Sequence, residues 1–319
     1  MARQYLDFEI PIKEIDEKIA ELKVLLNEGN GGNADLVALE TKRNKIIGNI
    51  FSKLNRWQRV QLARHPERPY SLDYIQSWSP DFIELHGDRN FGDDSAAVTG
   101  IGTIDGLKVT YIAQQKGRNT KDNIVRNFGM MRPDGYRKAL RIMKLAEKFN
   151  LPVISLIDTP GAYPGIGAEE RGQGEAIAKN LLEMSKLKTP IISIVIGEGA
   201  SGGALGIGIN DRMIMLENTW YSVISPEGCA SILWHDSKKA KQAAESLKLI
   251  PIDLMELGIC DRIVKEPIGG AHDNQKQMYE ILKAVLIEEL KSFDDVSTDT
   301  LFDKRIEKYN QMGSFVVES

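Results

Sequence analysis

The chain has 319 residues, 42% of them hydrophobic, and a formal net charge of -4 at pH 7. A chain of this length buries a large apolar core without disulfide support, and its slightly acidic balance argues against a general nucleic-acid binder, which needs excess basic charge. Its two cysteines, Cys229 and Cys260, argue against a disulfide framework and against a metal site built from cysteines.

Two amphipathic helices are predicted at the start of the chain. Apolar residues recur at helical spacing over 12–26 and again over 36–54. The polar, glycine-rich stretch 27–35 separates the two patterns, so an antiparallel helical hairpin is expected. The hairpin is either an arm packed on its own domain or a docking surface for another chain.

An alternation of strands and helices follows the hairpin. Strands over 98–103 and 108–114 are joined through Asp105 and Gly106, a pair that suits a tight hairpin turn. The remaining predicted elements are, in order, a helix (136–149), a strand (152–157), a helix (169–186), a strand (191–196), a short Gly/Ala helix, strands at 213–216 and 221–224, a helix opened by Ser225 and Pro226, a strand (259–264) and a helix (274–290). This order predicts an α/β core.

No predicted element is long and apolar enough to span a bilayer, and the first residues lack the basic-then-apolar order of a secretory signal. The unpaired cysteines indicate a reducing compartment. A cytoplasmic protein with no membrane partner is therefore expected.

The glycine-rich stretch 197–203 matches two short sequence motifs, the dinucleotide fingerprint and the nucleophile elbow. Gly197, Gly199 and Gly202 fit the dinucleotide fingerprint, with Glu217 where a ribose-binding acid would stand. This motif lies deep in the chain and the helix after it ends early, which argues against a nicotinamide enzyme. The stretch 158–161 resembles the D-x-x-G of GTPases, but the sequence has no P-loop, which excludes that function.

The stretch 197–203 also fits the nucleophile elbow G-x-S-x-G, with Ser201 as nucleophile and His235 or His272 as base. Neither histidine stands in a context that marks it as catalytic. Ser201 is better explained as a small residue at the start of a helix, and a serine acyl-hydrolase remains an alternative function.

Two glycine turns, 158–165 and 197–203, each follow an apolar strand and precede a helix. Amides of consecutive glycines, with no Cβ in the way, can converge on one oxygen and stabilise negative charge there. The sequence therefore predicts an oxyanion cradle built from backbone. The alternative is that these glycines only allow tight packing between strands and helices.

Across nearly its whole length, the sequence resembles the carboxyltransferase α subunit of bacterial, multi-subunit acetyl-coenzyme A carboxylase. The resemblance rests on the blocks 64–70, 115–118, 126–130, 135–138, 157–165, 168–172, 197–199, 201–204, 221–234 and 269–272. It implies an α/β, crotonase-like (ClpP/crotonase) spiral of ββα units, with an N-terminal helical arm over 1–60, a carboxyltransferase core over 61–272 and a C-terminal helical segment over 273–319.

The resemblance implies transfer of a carboxyl group from N-carboxybiotin, held on a biotin carboxyl carrier protein, to acetyl-CoA. The product is malonyl-CoA, in the first committed step of fatty-acid synthesis. The expected partners are a carboxyltransferase β subunit, in an α2β2 assembly, and biotin carboxylase in the larger complex. Zinc is expected in the β subunit and no metal in this chain. Activity then requires the β subunit; a non-catalytic scaffold subunit is the remaining alternative.

By the same resemblance, the backbone amides of Gly202 and Gly203 are the donors to the biotin oxyanion. The candidate substrate-binding residues are Gly161, Ala162, Tyr163, Gly199 and Ser201. A basic segment contains Lys116, Arg118, Lys121 and Arg126. Lys116 and Arg118 are candidates for contact with CoA phosphates or with acidic carrier protein, and a solvated face is the alternative. The residues flanking the first turn, to which no chemical step is assigned, are Asp158, Glu169, Glu170 and Arg171.

Overall fold

The computed structural model describes residues 3–27 and 33–313. Its strands, in chain order, are β1 (Ile83–Glu84), β2 (Ala97–Ile104), β3 (Leu107–Gln114), β4 (Val153–Thr159), β5 (Ile191–Ala200), β6 (Arg212–Leu216), β7 (Trp220–Ser222) and β8 (Arg262–Val264). They form one sheet in the order β1-β2-β3-β4-β5-β6-β8, with β7 beside the end of β5. The pairs β1–β2 and β2–β3 are antiparallel, and the pairs from β3 onward are parallel.

The described residues form fourteen α-helices, and some of them cover the two faces of the sheet. In chain order they are α1 (Ile10–Asn27), α2 (Asn33–Phe51), α3 (Arg56–Ala63), α4 (Ser71–Trp78), α5 (Thr120–Val125), α6 (Pro133–Lys148), α7 (Ile166–Glu170), α8 (Gln173–Ser185), α9 (Ser201–Leu205), α10 (Pro226–Trp234), α11 (Ala240–Leu247), α12 (Pro251–Glu256), α13 (Gln275–Lys291) and α14 (Thr298–Asn310). Among the helices that cover the sheet are α4, α6, α8 and α13.

The side chains of β4 show how the core is divided between the two faces. Val153 and Ile157 pack with residues of α6 and α8, whereas Ile154 and Leu156 pack with residues of α4 and α13. All four are fully buried, as expected for a parallel strand covered on both faces. The carboxyl ends of β4 and β5 therefore meet at one edge of a rigid, buried sheet.

The predicted β-hairpin is confirmed. Ile104 of β2 pairs with Leu107 of β3, and the two residues between them have positive φ angles, 46° at Asp105 and 87° at Gly106. A two-residue turn with both φ values positive matches the twist of the strands, and Asp-Gly tolerates it well. The Ser225 cap is also confirmed, because its side chain accepts a hydrogen bond from Gly228 N.

The predicted N-terminal helical hairpin is confirmed in its described part. Asp16 pairs with Arg43 at 2.5 Å and Lys23 with Glu40 at 3.2 Å, so α1 and α2 run antiparallel. The predicted glycine-rich break falls largely on residues 28–32, which lie outside the described residues. The buried side chains in the described part of this hairpin are those of Ile12, Ile15, Ile19 and Ile47.

Several predicted boundaries are wrong. The helix expected over 169–186 is two helices, α7 and α8, because Gly172 takes a left-handed conformation with φ of 80° between them. The strand expected over 221–224 is β7, which ends at Ser222, and the strand expected over 259–264 begins only at Arg262. No described helix has the length and apolarity to cross a membrane.

Candidate active site

The two glycine-containing segments meet at Gly203. A Cβ added to Gly203 would lie 2.2 Å from the carbonyl carbon of Gly161 and 2.5 Å from the nitrogen of Ala162, closer than real contacts allow. The start of α9 is thus pressed directly against the backbone that follows β4. Position 203 requires glycine because another segment of main chain occupies the space of a side chain.

The second glycine turn is shorter than predicted. Residues 197–200 continue β5, and Glu198 and Ala200 pair with β7. Gly197 and Gly199 are needed for packing, since the Asp158 carboxylate and the Tyr221 ring lie 2.3 Å and 2.5 Å from where their Cβ atoms would be. The prediction of a turn over all of 197–203 is therefore wrong, and the dinucleotide fingerprint has its first two glycines inside a strand.

The chain instead turns at Ser201, which has φ of 58° and is exposed. The first amides of a helix have no carbonyl partner within the helix, and no side chain of the described residues caps α9. Gly202 is half-buried, and an added Cβ would have Ile177 Cδ1, at 3.7 Å, as its nearest neighbour. A ligand oxygen therefore has room to approach the amide of Gly202.

Gln114 fixes the backbone of both segments and was not found from the sequence. It is fully buried at the end of β3. Its Nε2 donates to the Gly203 carbonyl at 2.7 Å, and its Oε1 accepts from Asp158 N at 3.2 Å. The Tyr136 hydroxyl donates to the same Gly203 carbonyl at 3.2 Å. The signal in the sequence was a glutamine at the carboxyl end of an apolar strand.

We expect Gln114→Leu to lower the free energy of unfolding by about 1–3 kcal/mol, because it leaves Asp158 N unpaired and weakens the hold on Gly203. Urea unfolding of the full chain measures this change. The matched control is Gln242→Leu on the exposed side of α11, where a change within about 0.5 kcal/mol is expected. Equal stabilities for the two variants would contradict the role of Gln114.

A buried ionic network lies beside the glycine segments. Lys116 Nζ lies 2.7 Å from Asp158 Oδ1 and 2.7 Å from Glu198 Oε2, and Arg64 Nε lies 2.6 Å from Glu198 Oε1. Burial raises the pKa of Asp158, although Lys116 favours its ionised form. Burial also opposes ionisation of Glu198, but Lys116 and Arg64 together lower its pKa. The network joins four charged side chains, each with a partner of opposite charge, and two of them, Asp158 and Glu198, are buried.

This network changes the interpretation of the basic segment. Two carboxylates compensate the charge of Lys116, and Arg118 pairs with Asp73 and lies 4.1 Å from the Tyr70 ring centroid. Both cations thus contact the chain itself rather than standing free for a phosphate. A cavity of about 320 Å³ adjoins them; among its lining residues are Arg64, Tyr70, Lys116, Phe128 and Glu198.

The first turn is held by contacts with the chain before α6. Tyr163 N donates to Met131 O at 3.1 Å, and Gln173 Nε2 donates to the carbonyls of Met131 and Tyr163 at 2.9 Å and 3.1 Å. The Arg132 guanidinium lies over the Tyr163 ring, 4.6 Å from its centroid. Ala162 and Tyr163 are half-buried, so they can contact a ligand. Neither Arg132 nor Gln173 was identified from the sequence.

The histidines do not lie where a serine nucleophile would need them. Within 3–27 and 33–313, the Ser201 hydroxyl has no hydrogen bond to a histidine. His272 is buried 3.4 Å from Glu9 and stacks on His65, with 3.9 Å between ring centroids. His235 ends α10 in a left-handed conformation. The geometry thus provides no base for the nucleophile-elbow reading.

Solved structures with the same fold support the predicted fold class. A Pseudomonas malonate decarboxylase hetero-tetramer in complex with coenzyme A has a TM-score of 0.59 and 16% identity, covering 75% of this chain and 92% of that chain. The geranyl-CoA carboxylase β subunit of P. aeruginosa has a TM-score of 0.54 and 15% identity, covering 83% and 48%. At these identities the likeness shows the fold alone, and the crotonase-like α/β fold is confirmed.

Sequence comparisons are more specific. The family model described as acetyl co-enzyme A carboxylase carboxyltransferase-like matches residues 5–313. The acetyl-coenzyme A carboxylase carboxyl transferase subunit alpha of Chlorobaculum parvum is 54% identical, covering 98% of this chain and 97% of the relative. The protein of the same name from Xanthomonas campestris pv. campestris is 55% identical, covering 99% of each. The chain therefore belongs to the family of acetyl-coenzyme A carboxylase carboxyltransferase α subunits.

Proposed function

We propose that this chain, as the α subunit of a carboxyltransferase, transfers a carboxyl group from N-carboxybiotin to acetyl-CoA and so forms malonyl-CoA. Relatives with that name are 54–55% identical over almost the whole chain. The single structural observation that supports the chemistry is the start of α9. There the Gly202 amide has open space beside it, and Gly203 is locked against Gly161.

The residues at this point fit the oxygen of a biotin ring. Because Gly202 carries no Cβ and has open space beside it, a ligand oxygen can come within hydrogen-bonding distance of its amide. When bound, carboxylated biotin supplies the carboxyl group that is transferred and a urea oxygen on which negative charge builds up. The amides of Gly202 and Gly203 would donate hydrogen bonds to that oxygen.

The surrounding contacts make this cradle rigid. Gln114 and Tyr136 both donate to the Gly203 carbonyl, so the Gly203–Ala204 peptide, which directly follows the two proposed donor amides, is held before any ligand arrives. Donors that need no reorganisation during the reaction stabilise developing charge more strongly than mobile ones. We assign Asp158 and Glu198 to holding the two segments together, because both are buried and share Lys116.

The proposed partners follow from the family. A carboxyltransferase β subunit carrying zinc would supply the cradle for the acetyl-CoA enolate and most of the CoA site. The biotin would arrive on a carrier protein, and biotin carboxylase would complete a cytoplasmic assembly. A protein of the same fold, the Pseudomonas malonate decarboxylase, is a hetero-tetramer. An active site between subunits implies that the isolated α chain is inactive.

The experiment is reconstitution. The purified chain is assayed for transfer of radiolabelled carboxyl from carboxylated biotin to acetyl-CoA, alone and with a purified zinc-containing β subunit. We expect malonyl-CoA only from the mixture. Absence of transfer from a mixture that forms a stable complex would refute the proposed function.

Ser201→Ala separates this function from the acyl-hydrolase alternative. Within the described part of the chain the Ser201 hydroxyl has no histidine partner, so we expect the variant to form malonyl-CoA within about twofold of wild type, a difference of ~0.5 kcal/mol. A hydrolase would instead lose its activity in this variant, and the isolated wild-type chain would cleave acetyl-CoA. Free thiol release, followed over time, measures that cleavage.

A further inference from the structure

Arg132 stands apart from the other arginines. Among the residues that the structure describes, it is the arginine whose side chain forms no hydrogen bond and no ion pair. Its Nε is buried and has no partner. The nearby Asp94 carboxylate accepts a hydrogen bond from the backbone nitrogen of Arg132, at 2.7 Å, and not from its guanidinium.

Neighbouring arginines show what an ordinary pairing looks like here. Arg137 and Arg171 both contact Asp134, at 2.7 Å and 3.0 Å. A buried donor without a partner is unfavourable relative to one that is satisfied. The half-buried guanidinium of Arg132 has no such partner among the described residues, so its Nη groups, which are not buried, can donate to an incoming anion.

The position of Arg132 indicates where such an anion would bind. Its guanidinium lies over the ring of Tyr163, 4.6 Å from the centroid, and stacking of this kind fixes the plane of the fork of donors. Tyr163 is two residues after Gly161, the residue against which Gly203 packs. Tyr163 also lines a cavity of about 210 Å³ at the protein surface. The donors of Arg132 thus lie next to the turn that forms one wall of the glycine cradle.

We propose that Arg132, stacked on Tyr163, binds an anionic group of the substrate, either a carboxylate or a phosphate, beside the first glycine turn. This inference rests on the proposed function for the identity of the substrate. The carboxylate would belong to carboxylated biotin or to the malonyl group, and the phosphate to CoA. A planar guanidinium binds either group through two parallel hydrogen bonds.

The first test needs no transferase activity. Sodium malonate and inorganic phosphate are titrated separately into the full chain, and the midpoint of thermal unfolding is followed at constant ionic strength. We expect one or both anions to raise the midpoint of the wild type and of Arg89→Gln, and to leave that of Arg132→Gln unchanged. Arg89 is an exposed arginine that donates only to the His86 carbonyl, which makes it a matched control. Equal responses of wild type and Arg132→Gln would overturn the proposal.

The second test uses the complex reconstituted with the β subunit. We expect Arg132→Gln to lower kcat/KM by a factor of about 10–100, and Arg132→Lys, which keeps the charge but loses the planar fork, to lower it less. A loss with acetyl-CoA but not with acetyl-pantetheine identifies a phosphate of CoA as the ligand. An equal loss with both substrates identifies a carboxylate. Unchanged kcat/KM in Arg132→Gln would overturn the role in binding.

The two tests keep this inference separate from the proposed function. If the complex transfers no carboxyl group but the titration still distinguishes Arg132→Gln from wild type, the anion site stands and the proposed function falls. If the complex is active and the titration shows no difference, the anion site falls and the function stands.

Discussion

Gly202→Val is expected to lower the rate of malonyl-CoA formation by a factor of about 10²–10³ in the reconstituted complex, while the chain stays folded. The branched side chain has space, since the nearest atom to its Cβ is Ile177 Cδ1 at 3.7 Å. It would nevertheless keep a ligand oxygen from the amides at the start of α9. Carboxyl transfer measures the rate, and thermal unfolding together with co-purification of the β subunit verifies the fold.

Gly48→Val is the matched control, because Gly48 is exposed on α2, outside the candidate site, and an added Cβ would meet nothing within 4 Å. We expect it to leave carboxyl transfer unchanged.

Gly203 is less suited to this test. Even Gly203→Ala would place a Cβ 2.2 Å from the Gly161 backbone, so a loss of activity there would reflect displaced backbone. Full activity of a folded Gly202→Val variant would contradict the proposed cradle. That result would instead favour the alternative of a non-catalytic scaffold subunit.

Arg68→Met is expected to lower the free energy of unfolding by about 3–5 kcal/mol. Arg68 and Glu266 form a fully buried pair with 2.5 Å between Nη2 and Oε1. Arg68 Nε also donates to the carbonyl of Ile196 at 2.6 Å, next to the strand end that carries Gly197. Removing the arginine leaves a buried carboxylate without its cation. Urea unfolding gives the change in stability.

Arg262→Met is the control for this second prediction. Arg262 pairs with Glu288 and Glu289 near the surface, so its loss is expected to cost about 0–1 kcal/mol.

The pH dependence of the free energy of unfolding provides a further check. Burial by itself would raise the pKa of Glu266, but Arg68 lowers it to about 2, below the value near 4.3 of an unfolded glutamate.

A carboxyl group whose pKa is lowered by folding stabilises the protein fully above its unfolded pKa and loses that contribution as the pH falls towards the folded value. The stability difference between wild type and Arg68→Met should therefore be largest above about pH 5 and shrink as the pH falls towards 2. A difference that stays constant over this range would contradict the assigned role of the ion pair.

The parts of the fold that were predicted well depend on local patterns. The β2–β3 hairpin follows from the Asp105-Gly106 turn, and the start of α10 follows from the Ser225 cap and Pro226. The end of β5 could not be predicted in this way. Its last residues are strand because they pair with β7, and Glu198 meets Trp220 only after the chain has passed through α9 and β6.

The candidate site was predicted in its glycines and not in the side chains that hold them. Gln114 reaches Gly203 across 89 positions of sequence, and in the sequence it is simply the last residue of a strand. Lys116 was a candidate for contact with phosphates or carrier protein, with a solvated face as the alternative, because its two carboxylate partners, Asp158 and Glu198, come from other strands. Such contacts arise from the topology of the sheet, which periodicity does not specify. Arg132 directly precedes the proline that starts α6, a position with no motif of its own.

The most direct test of the account is a structure of the reconstituted α and β complex with biotin bound. The proposed cradle requires the urea oxygen of biotin to lie about 2.7–3.1 Å from the nitrogens of Gly202 and Gly203, with the Gly203 carbonyl still bound to Gln114. Bound biotin whose urea oxygen lies beyond about 3.6 Å from both nitrogens would contradict it.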